Sequence, residues 1–200
     1  MRVAIADPPT DSVARIGANS VLQLVPLLDE HLGRAERDRI LQESGMPHPP
    51  IDDGLMAEQP AANLHQRLRA DHPGLAAQLT ESAGDRTGAF IIQNRMPPAA
   101  LLVLRRLPPW LAGPLLVRVI EKHSWTFAGS GEFRVIQVEP AIFEIVDNPV
   151  VRGESAKEPI CHWHTAVFAH LFRDIVDPNL QCREVSCCAM GDDACRFEIY

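Results

Sequence analysis

The sequence predicts an α+β fold, an antiparallel sheet with helices packed on one face and a helical N-terminal half. Three observations carry this. Apolar residues recur at helical spacing as far as residue 123. From residue 125 the pattern changes to short β-prone runs punctuated by Gly, Pro, Asn and Asp. One more helical stretch and a closing hairpin pattern follow, and helices succeeded by strands with one crossing helix is the α+β order.

Residues 12–32 predict an amphipathic helix, with Val13, Ile16, Val21, Leu24, Val25 and Leu28 near helical spacing, and residues 34–43 a second, short one. The proline-rich stretch 45–54 is a connection, after which residues 61–69 and 73–94 predict helices again. Residues 97–106 and 109–123 form a helix pair around Leu107-Pro108-Pro109. Each has an early proline, whose missing N–H is no loss in a first turn. Residues 125–127, 133–138 and 141–146 predict a three-stranded antiparallel meander, broken at Gly129-Ser130-Gly131 and Glu139-Pro140 and ended by Asp147-Asn148-Pro149. Residues 161–176 return to helix, with Trp163, Val167, Phe168, Leu171, Phe172, Ile175 and Val176 as a wide apolar stripe to lay on the sheet. Residues 180–187 and 195–200 predict closing strands around a turn at 190–193.

No internal repeat or low-complexity tail interrupts this order. At 200 residues and 46% hydrophobic content the chain suffices for one domain with a real core. Residues 1–95 form its helical part and 96–200 carry helices, sheet and cysteines. A net charge of −7 and a pI near 5.6 supply no basic field for a phosphate backbone, so nucleic acid is not an expected partner. Acids and prolines near the start exclude a secretory signal, which makes a reducing cytoplasmic location the expectation. Arg105, Arg106 and Pro108 cut the most apolar region, 97–120, below the roughly 20 residues of a bilayer span, so no transmembrane segment is expected. Peripheral contact with a membrane surface stays open.

Five cysteines, Cys161, Cys182, Cys187, Cys188 and Cys195, fall in the last fifth of the chain. Clustered cysteines under reducing conditions read as a metal site before they read as disulfides. Zinc takes four ligands from Cys, His and carboxylate. Cys161 stands at a helix start, and Glu184, Cys187 and Cys195 stand around the terminal hairpin. In a regular strand Glu184 and Cys187 face opposite sides, so a bulge around residues 185–187 is required for both to reach one ion. Cys182 and Cys188 share the parity of Glu184 and compete for the role. The alternative is a set of small buried hydrophobes.

Candidate binding residues lie at two places. His123-Ser124-Trp125-Thr126-Phe127 sits at the helix-to-strand junction, where Trp125 and Phe127 either fill the core or offer flat faces to a planar ligand. His162 and His164 flank Trp163 and cannot share one helix face. His170 is a further histidine available for chemistry, and Arg95, Arg105, Arg106 and Arg118 are solvated faces from which one side chain could pair with a carboxylate. There is no G-x-G-x-x-G after a strand, no P-loop and no G-x-S-x-G elbow, and the cysteine spacing is not that of a ferredoxin. No nicotinamide or flavin site is recognised.

Five segments carry a resemblance that runs over nearly the whole chain. They are Arg15-Ile16-Gly17-Ala18-Asn19-Ser20, Asn94-Arg95-Met96-Pro97, His123-Ser124-Trp125-Thr126-Phe127-Ala128-Gly129-Ser130-Gly131, Cys161-His162-Trp163-His164 and Cys187-Cys188-Ala189-Met190-Gly191-Asp192-Asp193-Ala194-Cys195-Arg196-Phe197. Together they resemble the bacteriochlorophyll 4-vinyl reductase family, J-type. The C-terminal part is also similar to the wider 4-vinyl reductase domain family, which includes sensory domains of aromatic-responsive transcription activators and shares a fold with ligand-binding domains of nitric-oxide signalling and Golgi-transport proteins.

The resemblance implies a structural zinc ion held by one Cys before a helix and a Glu-x-x-Cys-x7-Cys run after it. Those positions here are Cys161, Glu184, Cys187 and Cys195. It also implies a buried pocket, expected as a hollow between the helical layer and the meander, and a homodimer by analogy with the sensors. The family name implies reduction of a ring vinyl group on a chlorophyllide precursor, but such chemistry needs a hydride source for which no site is visible. The expectation is therefore a carrier or assembly factor for bacteriochlorophyll synthesis. It would bind a vinyl-bearing chlorophyllide or magnesium porphyrin through His123, Trp125, Phe127, His162, Trp163, His164 and Arg95. Imidazole suits axial ligation of magnesium or a hydrogen bond to a propionate. The competing readings are the vinyl reductase itself, using an external reductant, and a ligand-gated module that docks to a biosynthetic enzyme.

Overall fold

The computed structural model describes residues 14–200. Ser12 and Val13 of the expected first helix lie outside them. The rest of that stretch is not one helix but a short strand and two helices: β1 (Arg15–Gly17), α1 (Asn19–Leu22) and α2 (Val25–Leu32). Pro26 stands in the first turn of α2, where it has no N–H to continue α1, so the helix restarts there. Next come α3 (Arg34–Glu43), β2 (Leu55–Ala57), α4 (Glu58–Asp71) and α5 (Pro73–Asn94). β1 and β2 pair antiparallel, Ile16 opposite Met56. Strands of three residues are too short to show alternation, which is why neither was expected.

α6 (Pro98–Leu104) and α7 (Pro109–Lys122) form the expected helix pair. Residues 125–127, expected as a strand, belong instead to a helical turn, α8 (Trp125–Ala128). The Ser124 carbonyl accepts the N–H groups of Phe127 and Ala128, the Thr126 hydroxyl donates to the His123 carbonyl, and Gly129, at φ 58°, ends the turn. The expected meander is thus a two-stranded hairpin, β3 (Glu132–Val138) and β4 (Ala141–Val146). α9 (His162–Ile175), β5 (Cys182–Ser186) and β6 (Ala194–Ile199) complete the chain.

The four-stranded sheet is antiparallel throughout, in the order β3-β4-β6-β5. Along β4 burial alternates: Ala141, Phe143 and Ile145 face the helices, while Ile142, Glu144 and Val146 are half-buried on the other face. That outer face carries a charge lattice in which Arg196 donates to Glu144 and Arg183 donates to Glu198, the paired residues being cross-strand neighbours. On the inner face α9 lies over β4 and β6, and α5 packs against α9. The α5–α9 approach is close because α5 presents glycine: a Cβ on Gly84 would stand 2.4 Å from the Trp163 carbonyl oxygen, and one on Gly88 2.6 Å from the His170 Cβ. One core runs from Ile16 through these layers to Ile199.

Candidate metal centre and binding groove

Cys161 is the N-cap residue of α9, and its neighbours in space come from the terminal hairpin. The β5–β6 register shifts between Glu184 and Ser186, a bulge of the kind that opposing parities require. One ligand atom from each of Cys161, Glu184, Cys187 and Cys195 lies within 4.8 Å of the others. Cys161 Sγ is 3.4 Å from Cys195 Sγ and 4.0 Å from Cys187 Sγ, and the remaining sulfur pair is 3.8 Å apart. A tetrahedron with metal–sulfur bonds of about 2.3 Å has sulfurs about 3.8 Å apart, so the set could hold a metal ion without rearrangement.

The surroundings fit a cation as well. The Asn148 side-chain amide donates to Cys161 Sγ, the Cys188 N–H donates to Cys195 Sγ, and Asp192 accepts the Cys187 N–H. Such outer partners orient ligand atoms. Glu184 accepts the Cys161 N–H through Oε2 at 2.8 Å, while its Oε1 is buried with no hydrogen-bond partner among the described residues. Burial, then the nearby Cys187 sulfur, push the Glu184 carboxyl up to about 8. Burial raises the Cys161 thiol, and hydrogen bonds from Cys161 and Cys195 lower Cys187, so the three sulfurs favour one shared thiolate. A divalent cation reverses that penalty by stabilising every anionic ligand at once. Cys182 and Cys188, the competitors by strand parity, stand outside the cluster, and Cys188 Sγ faces the Ile145 carbonyl at 3.9 Å.

The seven expected ligand-binding residues do not converge. Phe127, Trp163 and His164 meet one another: His164 Nε2 is 3.1 Å from the Phe127 carbonyl, and the Trp163 and His164 rings are 4.8 Å apart. They meet inside the core, where Trp163 also donates to the Thr87 hydroxyl. His123 is 2.8 Å from the Val119 carbonyl through Nδ1, Trp125 is half-buried on α8, and Arg95 is held at the surface by Asp53. His162 opens outward on α9, one residue from Cys161.

The expected hollow between helices and sheet is filled. Phe127, Phe133, Phe143, Phe168 and Phe197 interlock there, with ring centroids 5.1 Å apart for Phe143–Phe168 and 5.3 Å for Phe168–Phe197. Alternating apolar residues on β4 and β6 meet the apolar stripe of α9, and aromatic side chains are large enough to close the gap.

The large concavity lies on the outer side of α9. A groove of about 1040 Å³ runs between α2, α5, α9 and the segment 178–182, with mostly polar walls. His31, Asp85, Arg86, His162 and Arg173 line it. Asp85 holds both the His170 imidazole, at 2.8 Å, and the Arg173 guanidinium, at 2.9 Å. Sequence reasoning singled out only His162 of this lining. The others sit at helix positions whose polar pattern reads as solvated surface, and nothing local marks α2 and α5 as two walls of one groove.

Residues 141–200 match the 4-vinyl reductase domain family, a span that includes β4, α9, β5, β6 and all four clustered ligands. The chain is 48% identical over 185 residues to the bacteriochlorophyll synthase 23 kDa chain of Cereibacter sphaeroides, covering 92% of this chain and 90% of the relative. It is 43% identical over 195 residues to the chain of the same name from Rhodobacter capsulatus, covering 98% and 91%. Among solved structures, an Fe(II) unliganded H-NOX protein from K. algicida superposes with a TM-score of 0.56 at 11% identity, covering 92% of this chain and 95% of that one. The phenol-responsive sensory domain of the transcription activator PoxR, with phenol, superposes with a TM-score of 0.50 at 15% identity, covering 82% and 88%. The mixed helix and antiparallel-sheet fold expected from the sequence is the fold of these structures.

Proposed function

Because the chain belongs to the family of bacteriochlorophyll synthase 23 kDa chains, we propose that it serves bacteriochlorophyll synthesis by binding a vinyl-bearing chlorophyllide or magnesium porphyrin precursor and presenting it to other enzymes of the route. The observation that carries the reading is identity of 48% sustained over 92% of the chain with a relative named for that synthesis. The α9 groove supports it: a volume of about 1040 Å³ is at the upper end of small-molecule sites. His162 offers an imidazole for a magnesium ion, and Arg86 and Arg173 offer charge for a carboxylate. In this reading Phe127, Trp163 and His164 are core, His123, Trp125 and Arg95 are held by local contacts, and His162 alone of the seven touches the pigment.

Cys161, Glu184, Cys187 and Cys195 would hold zinc as a structural ion that pins the start of α9, the wall bearing His162, to the terminal hairpin. Zinc would neutralise the crowded thiolates and the buried carboxylate. The chain's own part is to set His162 one residue beyond a fixed point.

Titration of the purified chain with divinyl chlorophyllide tests the proposal. A shift of the Soret band at micromolar ligand is expected, together with affinity at least about tenfold weaker in His162→Ala, the scale of one lost metal–ligand or charged contact. An unshifted band rejects pigment binding, and full affinity in His162→Ala moves the site out of the groove. Conversion of vinyl to ethyl by the chain and reduced nicotinamide alone would replace the carrier reading with the reductase.

A further inference from the structure

The α6–α7 pair carries a surface that the proposed function does not use. α7 has two apolar ridges. Ala112, Leu116, Val117 and Ile120 are buried against the body of the protein. Leu111, Leu115 and Val119, spaced four residues apart on a second ridge, are 38%, 39% and 39% exposed. A helix of a water-soluble surface carries charge on its second face. Here Trp110 adds to the apolar face at 61% exposure, and α6 adds Leu102 at 53% and Val103 at 57%. Most of the exposed large apolar side chains among the described residues thus fall on α6, α7 and the adjoining edge strand β3, which contributes Ile136 and Val138. Such concentration marks an interaction face rather than scattered exposure.

Charge identifies the occupant. The chain as a whole carries −7, yet residues 95–120 contain four arginines and no acidic residue. Arg105 is engaged by Asp174 and Arg95 by Asp53. Arg106, Arg118 and Lys122 make no ion pair with any described residue and stand beside the apolar face on the same two helices. An apolar face with an exposed tryptophan, rimmed by cations, complements a lipid surface bearing negative headgroups: acyl chains take the apolar ridge, tryptophan sits at the headgroup level, and the cations meet phosphates. No described helix is long and apolar enough to cross a membrane, which suits a helix pair lying in the interface. We propose that α6 and α7 form a docking face for the surface of an anionic bilayer.

The test is co-sedimentation of the full chain with phosphatidylcholine vesicles and with mixed phosphatidylcholine–phosphatidylglycerol vesicles, read alongside tryptophan emission. Binding to the mixed vesicles alone is expected, with a blue shift that disappears in Trp110→Phe. Partition should fall about tenfold or more in Arg106→Glu/Arg118→Glu, the scale of losing two cations near an anionic surface. These side chains are exposed, so far-ultraviolet dichroism should match that of the parent and separate weak docking from misfolding. Absence of binding to mixed vesicles, or equal binding by the double variant, overturns the proposal. A stable dimer of the vesicle-free chain that shields Trp110 and dissociates in Leu102→Ser/Val103→Ser would also overturn it, by giving the face to a second copy.

Discussion

At the scale of single residues, the consequences concentrate on the clustered ligands and on two buried histidines. Cys195 and Cys187 are fully buried, and Cys195 meets Cys161 at 3.4 Å. Chain purified without added zinc is expected to contain about one equivalent of metal, and Cys195→Ser or Glu184→Ala to lose it. The loss should lower stability by about 3 kcal/mol, roughly 6–12 °C in melting temperature for a chain of this size. Metal analysis and a thermal melt with and without chelator check both, and a metal-free parent with unchanged melting would rule the ion out. His65 and His164 are 0% and 1% exposed, each with a buried Nδ1 that has no partner among the described residues. Burial lowers His65 to about 3 and His164 to about 4. A histidine held neutral in the fold but free to protonate when unfolded gives its full stability above pH ~6.5 and loses about 1.4 kcal/mol per pH unit below that, down to its folded value. Unfolding free energy should therefore fall between pH 6.5 and about 4, and the slope should be shallower in His65→Gln, whose amide can still donate to the Ser20 carbonyl that His65 Nε2 meets at 2.9 Å. An identical slope in that variant would remove His65 from the account.

Elements are where the sequence was most and least legible. α3, α5 and β4 have the expected limits because each is bounded by strong signals: Gly33 before α3, Pro73 opening α5, and Pro140 and Asp147 on either side of β4. Periodicity suffices where a segment is long and one face is buried. It failed at residues 125–127, where three β-prone residues were taken into a helical turn by the Ser124 carbonyl, and at β1 and β2, whose pairing is set by tertiary contact. Gly17 shows that contact: a Cβ there would stand 2.8 Å from the Thr126 carbonyl oxygen of α8. The same logic governs the α5–α9 interface. Gly84→Ala should destabilise by about 2–3 kcal/mol through overpacking against the Trp163 carbonyl, since backbone cannot yield as a side chain can. Gly74→Ala, on the same helix with nothing within 4 Å, should instead stabilise by up to about 1 kcal/mol. Denaturant unfolding of the two variants separates close packing from helix propensity; equal effects would contradict the interface geometry.

For the molecule as a whole, the class and layering were readable because the change from helical to strand spacing occurs once and late in the chain. The shape of the ligand space was not. Whether aromatic residues line a hollow or fill it depends on how closely α9 sits on the sheet, and no single segment encodes that distance. The groove likewise joins α2, α5 and α9, which are separated by long stretches of sequence. The helical half is tied to the sheet half by one buried acid. Glu58, 4% exposed, accepts hydrogen bonds from the Ser130 N–H and hydroxyl and is 3.3 Å from Arg152. Glu58→Ala leaves those donors without their acceptor and is expected to cost about 2–3 kcal/mol, measured by denaturant unfolding. A loss below about 0.5 kcal/mol would show that the halves are held by apolar packing alone.

The strand order β3-β4-β6-β5 places β6 in the interior of the sheet although it is the last of the four along the chain. During synthesis, β4 and β5 therefore wait with open hydrogen-bonding edges, and the phenylalanine layer lacks Phe197, until residues 194–199 clear the ribosome. A nascent chain stalled or clipped before that point keeps two unsatisfied strand edges beside exposed aromatic surface, the condition that recruits chaperones or leads to aggregation.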